Sequence, residues 1–211
     1  MPILKRIIGF IGILTFMILF LYFYKIENYD AYRNFLLIEA IGGTIIVLLI
    51  FNPSSRRVRC AFLAGVASAV SAFIFGAYGS YLGWYLMLGG KVRILGVPME
   101  MISWVFFLGV MASIISEAPK LLIKLGGLFR KIFDKIEHFD KLSAFFVMFL
   151  LSGVGTFSDF ISAINGALLT ARYWTFAFSF CVWLTISFIT LITYNYLKMP
   201  YEFALIQENI S

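Results

Sequence analysis

The chain reads as an all-α polytopic membrane protein with about six transmembrane helices and one amphipathic interfacial helix. Three observations carry that reading. Of 211 residues, 62% are apolar and only 13% charged, and the mean hydropathy is +0.94. A soluble domain is about one quarter charged. The apolar residues gather into runs near 20 residues long, the length a helix needs to cross a bilayer core. Aromatic residues make up 18%, which excludes a disordered chain.

Taken in order, the first run is Ile7 to Tyr24, after Lys5 and Arg6. No small-x-small cleavage pattern follows it, so it is expected as a retained span over 7–24 rather than a leader. The second span, 35–51, stops at Asn52-Pro53, because proline cannot continue the helical hydrogen-bond ladder. The third, 60–80, carries Ala64, Ser68, Ala72, Gly76 and Ser80 at intervals of four, a small-residue stripe that lets a neighbouring helix come close. The segment Gly79 to Pro98 is broken by glycines, Lys91 and Arg93. It is too irregular for a helix through lipid and must be sheltered or interfacial, since unpaired backbone amides in hydrocarbon cost several kcal/mol. A fourth span follows at 99–116. Between 120 and 141, bulky apolar residues recur at helical spacing opposite lysines and arginines, as in a helix lying on a membrane surface. The fifth and sixth spans are expected at 142–169 and 173–197.

Orientation follows from counting basic residues. With a cytoplasmic amino terminus, the cytoplasmic segments hold Lys5, Arg6, Arg56, Arg57, Arg59, six residues from Lys120 to Lys141, and Lys198; the opposite side holds Lys25, Arg33, Lys91, Arg93 and Arg172. Twelve against five places both termini in the cytoplasm of a multi-pass cell-membrane protein. The net charge of +6 is thereby accounted for without nucleic acid. Membrane lipid is the expected partner, and the sequence sets no oligomeric state.

Four carboxylates fall within or beside the apolar runs: Glu39, Glu100, Glu117 and Asp159. A carboxyl group in a bilayer needs a partner, a proton or a cavity. Glu117 has Lys120 nearby for an ion pair, and Glu39 is one turn inside its span. Glu100 and Asp159 are the candidate catalytic acids. Glu100 follows Pro98 at a helix start, where a carboxylate also suits the first-turn amides. Asp159 lies in Gly155-Thr156-Phe157-Ser158-Asp159 without an adjacent cation, though Arg172 is within reach if the span ends early. Tyr78, Tyr81, Trp84 and Trp104 are candidate substrate-binding rings; Tyr and Trp also gather at membrane interfaces for their own reasons. The single His138, the two isolated cysteines Cys60 and Cys181, and the lack of an Asp-rich DDxxD motif or a glycine-rich phosphate loop give no expectation of a metal or other cofactor.

Phe75-Gly76-Ala77-Tyr78, Leu82-Gly83, Leu95-Gly96-Val97-Pro98 and Trp104 together resemble the FGxY…LG…GVP…W pattern of the membrane carotenoid-biosynthesis hydratases. Gly-Val-Pro-Met-Glu is similar to the Pro-x-Glu helix starts of membrane lycopene cyclases. The resemblance covers about thirty residues, and the Gly-x-Pro-x-Asn-Phe loop of the hydratases is absent. It implies a lipid-soluble isoprenoid substrate, a carboxylic acid (Glu100 or Asp159) that protonates an alkene, and aromatic rings that shield the cation. The residues alone leave two other classes open: a small transporter or channel, for which three spans followed by three permit an inverted repeat, and a non-catalytic membrane assembly factor.

Overall fold

The computed structural model describes residues 29–88, 90–117, 139–164, 168–170 and 175–210. The expected first span, 7–24, and the body of the expected interfacial helix, 120–138, lie outside the described residues. The described chain runs α1 (Tyr29–Phe51), α2 (Ser55–Tyr81), β1 (Tyr85–Met87), β2 (Arg93–Ile94), β3 (Val97–Pro98), α3 (Met99–Ile115), α4 (Phe139–Ile164), β4 (Leu168–Thr170) and α5 (Phe176–Ile210). Among the described residues, four helices are long and apolar enough to cross a membrane, within α1, α2, α4 and α5. The 17 residues of α3 span about 25 Å at 1.5 Å per residue, short of the ~30 Å hydrocarbon core.

Several boundaries differ from the sequence expectation: α1 and α2 begin at Tyr29 and Ser55 rather than at 35 and 60, α5 runs on to Ile210 rather than stopping at 197, and α4 differs at both ends. Residues 139–141, assigned to the surface helix, already belong to α4. The fifth span, expected to reach 169, ends at Ile164, and Leu168–Thr170 forms a strand. Hydropathy cannot register this stop, because Leu168 and Leu169 are as apolar as the helix before them. What changes is the hydrogen-bond partner: β4 pairs antiparallel with β1, Tyr85 opposite Thr170 and Met87 opposite Leu168. The irregular stretch after α2 therefore meets its backbone requirement by strand pairing. A second pair, β2 with β3, closes over Leu95-Gly96. Both of these residues have positive φ, +50° and +83°, the tight reversal a two-residue hairpin needs.

Helix α2 packs against α3 and α5, α1 against α3, and α4 against α5. The small-residue face of α2 makes close contacts along its length. A Cβ on Gly65 would lie 2.7 Å from Val110 Cγ2 and 2.8 Å from the Phe106 carbonyl, and one on Gly109 would lie 2.7 Å from Ser68 Cβ. Further along α2, a Cβ on Gly76 would sit 2.9 Å from Val97, and one on Gly79 only 2.5 Å from the Tyr85 ring. The stripe thus seats α3 on one stretch and the strand segment on the next. Outward, Ile38, Ile45, Val66, Val70, Ile74, Phe146, Phe188 and Ile192 are exposed, an apolar surface far too extensive for water and suited to acyl chains.

At one end of the bundle α2, the chain just past α3 and α5 are tied by one carboxylate, that of Glu117. Arg57 Nε lies 3.1 Å from Glu117 Oε2 and Lys198 Nζ 2.6 Å from Glu117 Oε1. Glu117, 4% exposed, is therefore an inter-helix lock with both oxygens engaged. Glu117→Ala leaves two cations facing each other and should cost about 3 kcal/mol, read as a lowered thermal midpoint in nanodiscs. Gly65→Val should destabilise by ~1–3 kcal/mol through overpacking, measured the same way.

Candidate functional site

The opposite end of the bundle holds two adjoining cavities beneath the β1–β4 pair. The first is walled by Leu36 of α1, Met87 of β1, Glu100, Met101 and Trp104 of α3, Ser158, Asp159 and Ser162 of α4, and Leu168 of β4. The second shares Met87, Met101, Asp159 and Leu168 with it and continues between Phe75, Tyr85, Val182, Trp183 and Ile186. Asp159 thus stands at the junction of a chamber with several polar side chains and one that is almost wholly apolar.

Glu100 is placed by its helix start. Pro98 precedes α3 in an extended conformation, φ −66° and ψ 135°, which fixes the entry of the chain and sets Glu100 in the first turn. Its Oε1 accepts a hydrogen bond from the Lys91 backbone N–H at 3.2 Å. Its Oε2 is buried and has no hydrogen-bond partner among the described residues. Gly90, at φ +93°, makes room for this carboxylate: a Cβ there would fall 2.7 Å from Pro98 Cβ and 3.0 Å from Glu100 Oε2.

Asp159 is placed by α5. Its Oδ2 accepts hydrogen bonds from Ser179 Oγ at 2.6 Å and from Trp183 Nε1 at 3.0 Å. Ser179 and Trp183 are four residues apart, on one face of their helix. The Trp183 indole rests on Gly155, itself one turn before Asp159; a Cβ on Gly155 would lie 2.1 Å from Trp183 Cδ2. Only a glycine admits the ring at this depth. Trp104 meets Trp183 edge to face, with centroids 5.7 Å apart and planes at 85°, so the two indoles brace each other across the site. On the far side, the Tyr85 hydroxyl donates to the Phe75 carbonyl at 3.0 Å. Burial pushes the Tyr85 phenol well above its ordinary range, and the neighbouring Asp159 charge pushes it further. It is a fixed neutral donor.

Of the residues singled out from the sequence, Glu100, Asp159 and Trp104 come together on one cavity wall. Tyr78, Tyr81 and Trp84 line neither cavity. Trp84 instead stacks edge to face with Tyr78 and Phe178, at 5.8 and 5.1 Å, and Tyr81 is 86% exposed. Arg172, considered as a partner for Asp159, lies outside the described residues; the described partners are both uncharged donors. Sequence reasoning missed Ser179 and Trp183. The signal for them is a pair of matched four-residue spacings, Gly155 to Asp159 and Ser179 to Trp183, which becomes legible only once α4 and α5 are known to be neighbours. Among the described residues no three His, Cys, Asp or Glu side chains gather as a metal-ligand group.

The chain matches no protein-family model, no curated protein and no solved structure.

Trp183→Phe keeps an aromatic ring, a smaller one, and removes one donor to a carboxylate, a hydrogen bond worth about 1.5–3 kcal/mol. The expected outcome is a corresponding loss of stability in a nanodisc melt. Gly155→Ala should cost at least as much, because the displaced indole loses both its seat and its bond to Asp159; a shift in indole fluorescence would report the displacement.

Proposed function

We propose that this chain is a membrane-embedded enzyme that uses Glu100 and Asp159 for acid–base chemistry on a double bond of a lipid-soluble isoprenoid. The observation that carries the reading is that these two carboxyl groups wall one cavity whose remaining lining is dominated by Leu36, Met87, Met101, Trp104 and Leu168. Apolar walls suit a hydrocarbon substrate, and two acids at one chamber suit a proton that must be delivered and then recovered. The motif resemblance to carotenoid hydratases and lycopene cyclases supports the same class.

The carboxyls take different roles because their surroundings differ. Glu100 has one oxygen held by the Lys91 amide and the other facing no described donor, which leaves Oε2 as the atom that carries a transferable hydrogen. Its O–H bond breaks as a C–H bond forms on the less substituted alkene carbon, and a tertiary cation results. Asp159 accepts two hydrogen bonds on Oδ2 and serves as the carboxylate that faces the cation. The Trp104 and Trp183 rings add cation–π stabilisation of ~0.5–2 kcal/mol each in a desolvated site. In hydration, water adds to the cation and gives its proton to Asp159; in cyclisation, an internal alkene adds and a neighbouring C–H proton is lost to the same carboxylate. Proton return from Asp159 to Glu100 closes the cycle.

The balance of basic residues supports six spans with both termini cytoplasmic in the cell membrane. Arg57 and Lys198 then mark the cytoplasmic end, and the cavity belongs to the opposite half of the bundle.

Co-expression with a lycopene-producing pathway tests the proposal. The expected product has either the mass of one added water and greater polarity, or an unchanged mass and an altered retention time. Pigment identical in mass and retention overturns it. Glu100→Gln and Asp159→Asn should each lower conversion by about 100-fold or more, the usual scale of general acid–base catalysis. Tyr81→Phe, remote from the cavity, should leave it unchanged.

A further inference from the structure

The β2–β3 hairpin has a buried base and a bare tip. At the base, Val97 is 1% exposed and packs on Gly76, and Pro98 is fully buried. The Met99 N–H donates to the Val92 carbonyl at 3.0 Å, which closes the loop against the start of α3. From the foot of β2 to the turn, Lys91, Val92, Arg93, Ile94 and Leu95 are all exposed. Leu95 stands out at 73% with its backbone at φ +50°, a conformation that favours glycine or asparagine over a branched apolar residue. An aliphatic side chain is thus held mostly in the open on a left-handed turn. Beside the hairpin, Tyr81 is also exposed, and Tyr78, Trp84 and Phe178 form their aromatic cluster at the same end of the bundle.

We infer that this hairpin is a lipid-headgroup anchor: Val92, Ile94 and Leu95 enter the acyl boundary of the membrane the helices span, and Lys91 and Arg93 bind the phosphates of anionic lipids. The mixture fits that layer and no purely aqueous or purely apolar one. Aliphatic tips reach the hydrocarbon edge, while long basic side chains extend back to the phosphates. Tyr and Trp at the same level are the ordinary markers of a membrane–water interface, which gives Tyr78, Tyr81 and Trp84 a role that the cavity does not. The anchor bears on the site through covalent continuity: Pro98 and Glu100 follow β3 directly, and the Lys91 amide holds Glu100. The inference requires that the helices span a membrane and is independent of any catalysis in the cavity.

Labelling the full chain tests it. In a Cys181→Ser background, Leu95→Cys and, separately, Val92→Cys carry an environment-sensitive fluorophore, and the protein is reconstituted into vesicles of phosphatidylcholine with or without phosphatidylglycerol. The expected result is quenching by shallow nitroxide-labelled lipids and shielding from aqueous iodide, stronger in the anionic vesicles. Lys91→Gln and Arg93→Gln should each weaken the tip's partitioning about fivefold there. Full iodide quenching overturns the inference, and so does equal shielding in both vesicle types. Shielding that disappears on dilution of protein into excess lipid would mean that a second copy covers the tip, and overturns it as well.

Discussion

Backbone amides and carbonyls in an apolar setting must find partners within the protein, and this requirement shapes the part of the molecule that matters most. Helices meet it by themselves. The chain between α2 and α3 does not form a helix, and it meets the requirement by two short strand pairings instead. One of them, β1 with β4, joins segments more than eighty residues apart in sequence and roofs the paired cavities. Without it, Met87 and Leu168 would not face one another and the space beneath would have no lid of protein.

The same economy governs the side chains. Asp159 lies within α4, where an unpartnered carboxylate would be costly, and α5 supplies two donors from a single face. Those donors depend in turn on Gly155, whose missing side chain admits the Trp183 indole. Glu100 is held in a different way, by one backbone amide and by a glycine that leaves it room. Two acids of similar chemistry thus face one cavity with unequal hydrogen bonding.

The two ends of the bundle are built on opposite principles. At the Glu117 end, every atom of the carboxylate is committed to Arg57 and Lys198, and the helices are locked. At the cavity end, strands take the place of helical turns and a hairpin ends in an apolar turn residue. Rigidity at one end lets the other tolerate open space, since α2, α3 and α5 cannot separate while their far ends are pinned.

The sequence by itself determined the membrane class, the apolar helical runs within α1, α2, α3 and α5, the breakdown of helix near residue 80, and the singling out of Glu100, Asp159 and Trp104, which line one cavity. These are local properties: apolar run length, proline stops, and the cost of placing a carboxylate among hydrocarbon side chains. Only the tertiary structure decided that Leu168–Thr170 leaves its helix, that Glu117 is shared by Arg57 and Lys198, that Ser179 and Trp183 serve Asp159, and that Tyr78, Tyr81 and Trp84 stand away from the cavity. Each of these depends on which helix lies beside which. Helices of nearly uniform apolarity carry little sequence signal for their neighbours, because lipid and protein interior look alike to an apolar side chain.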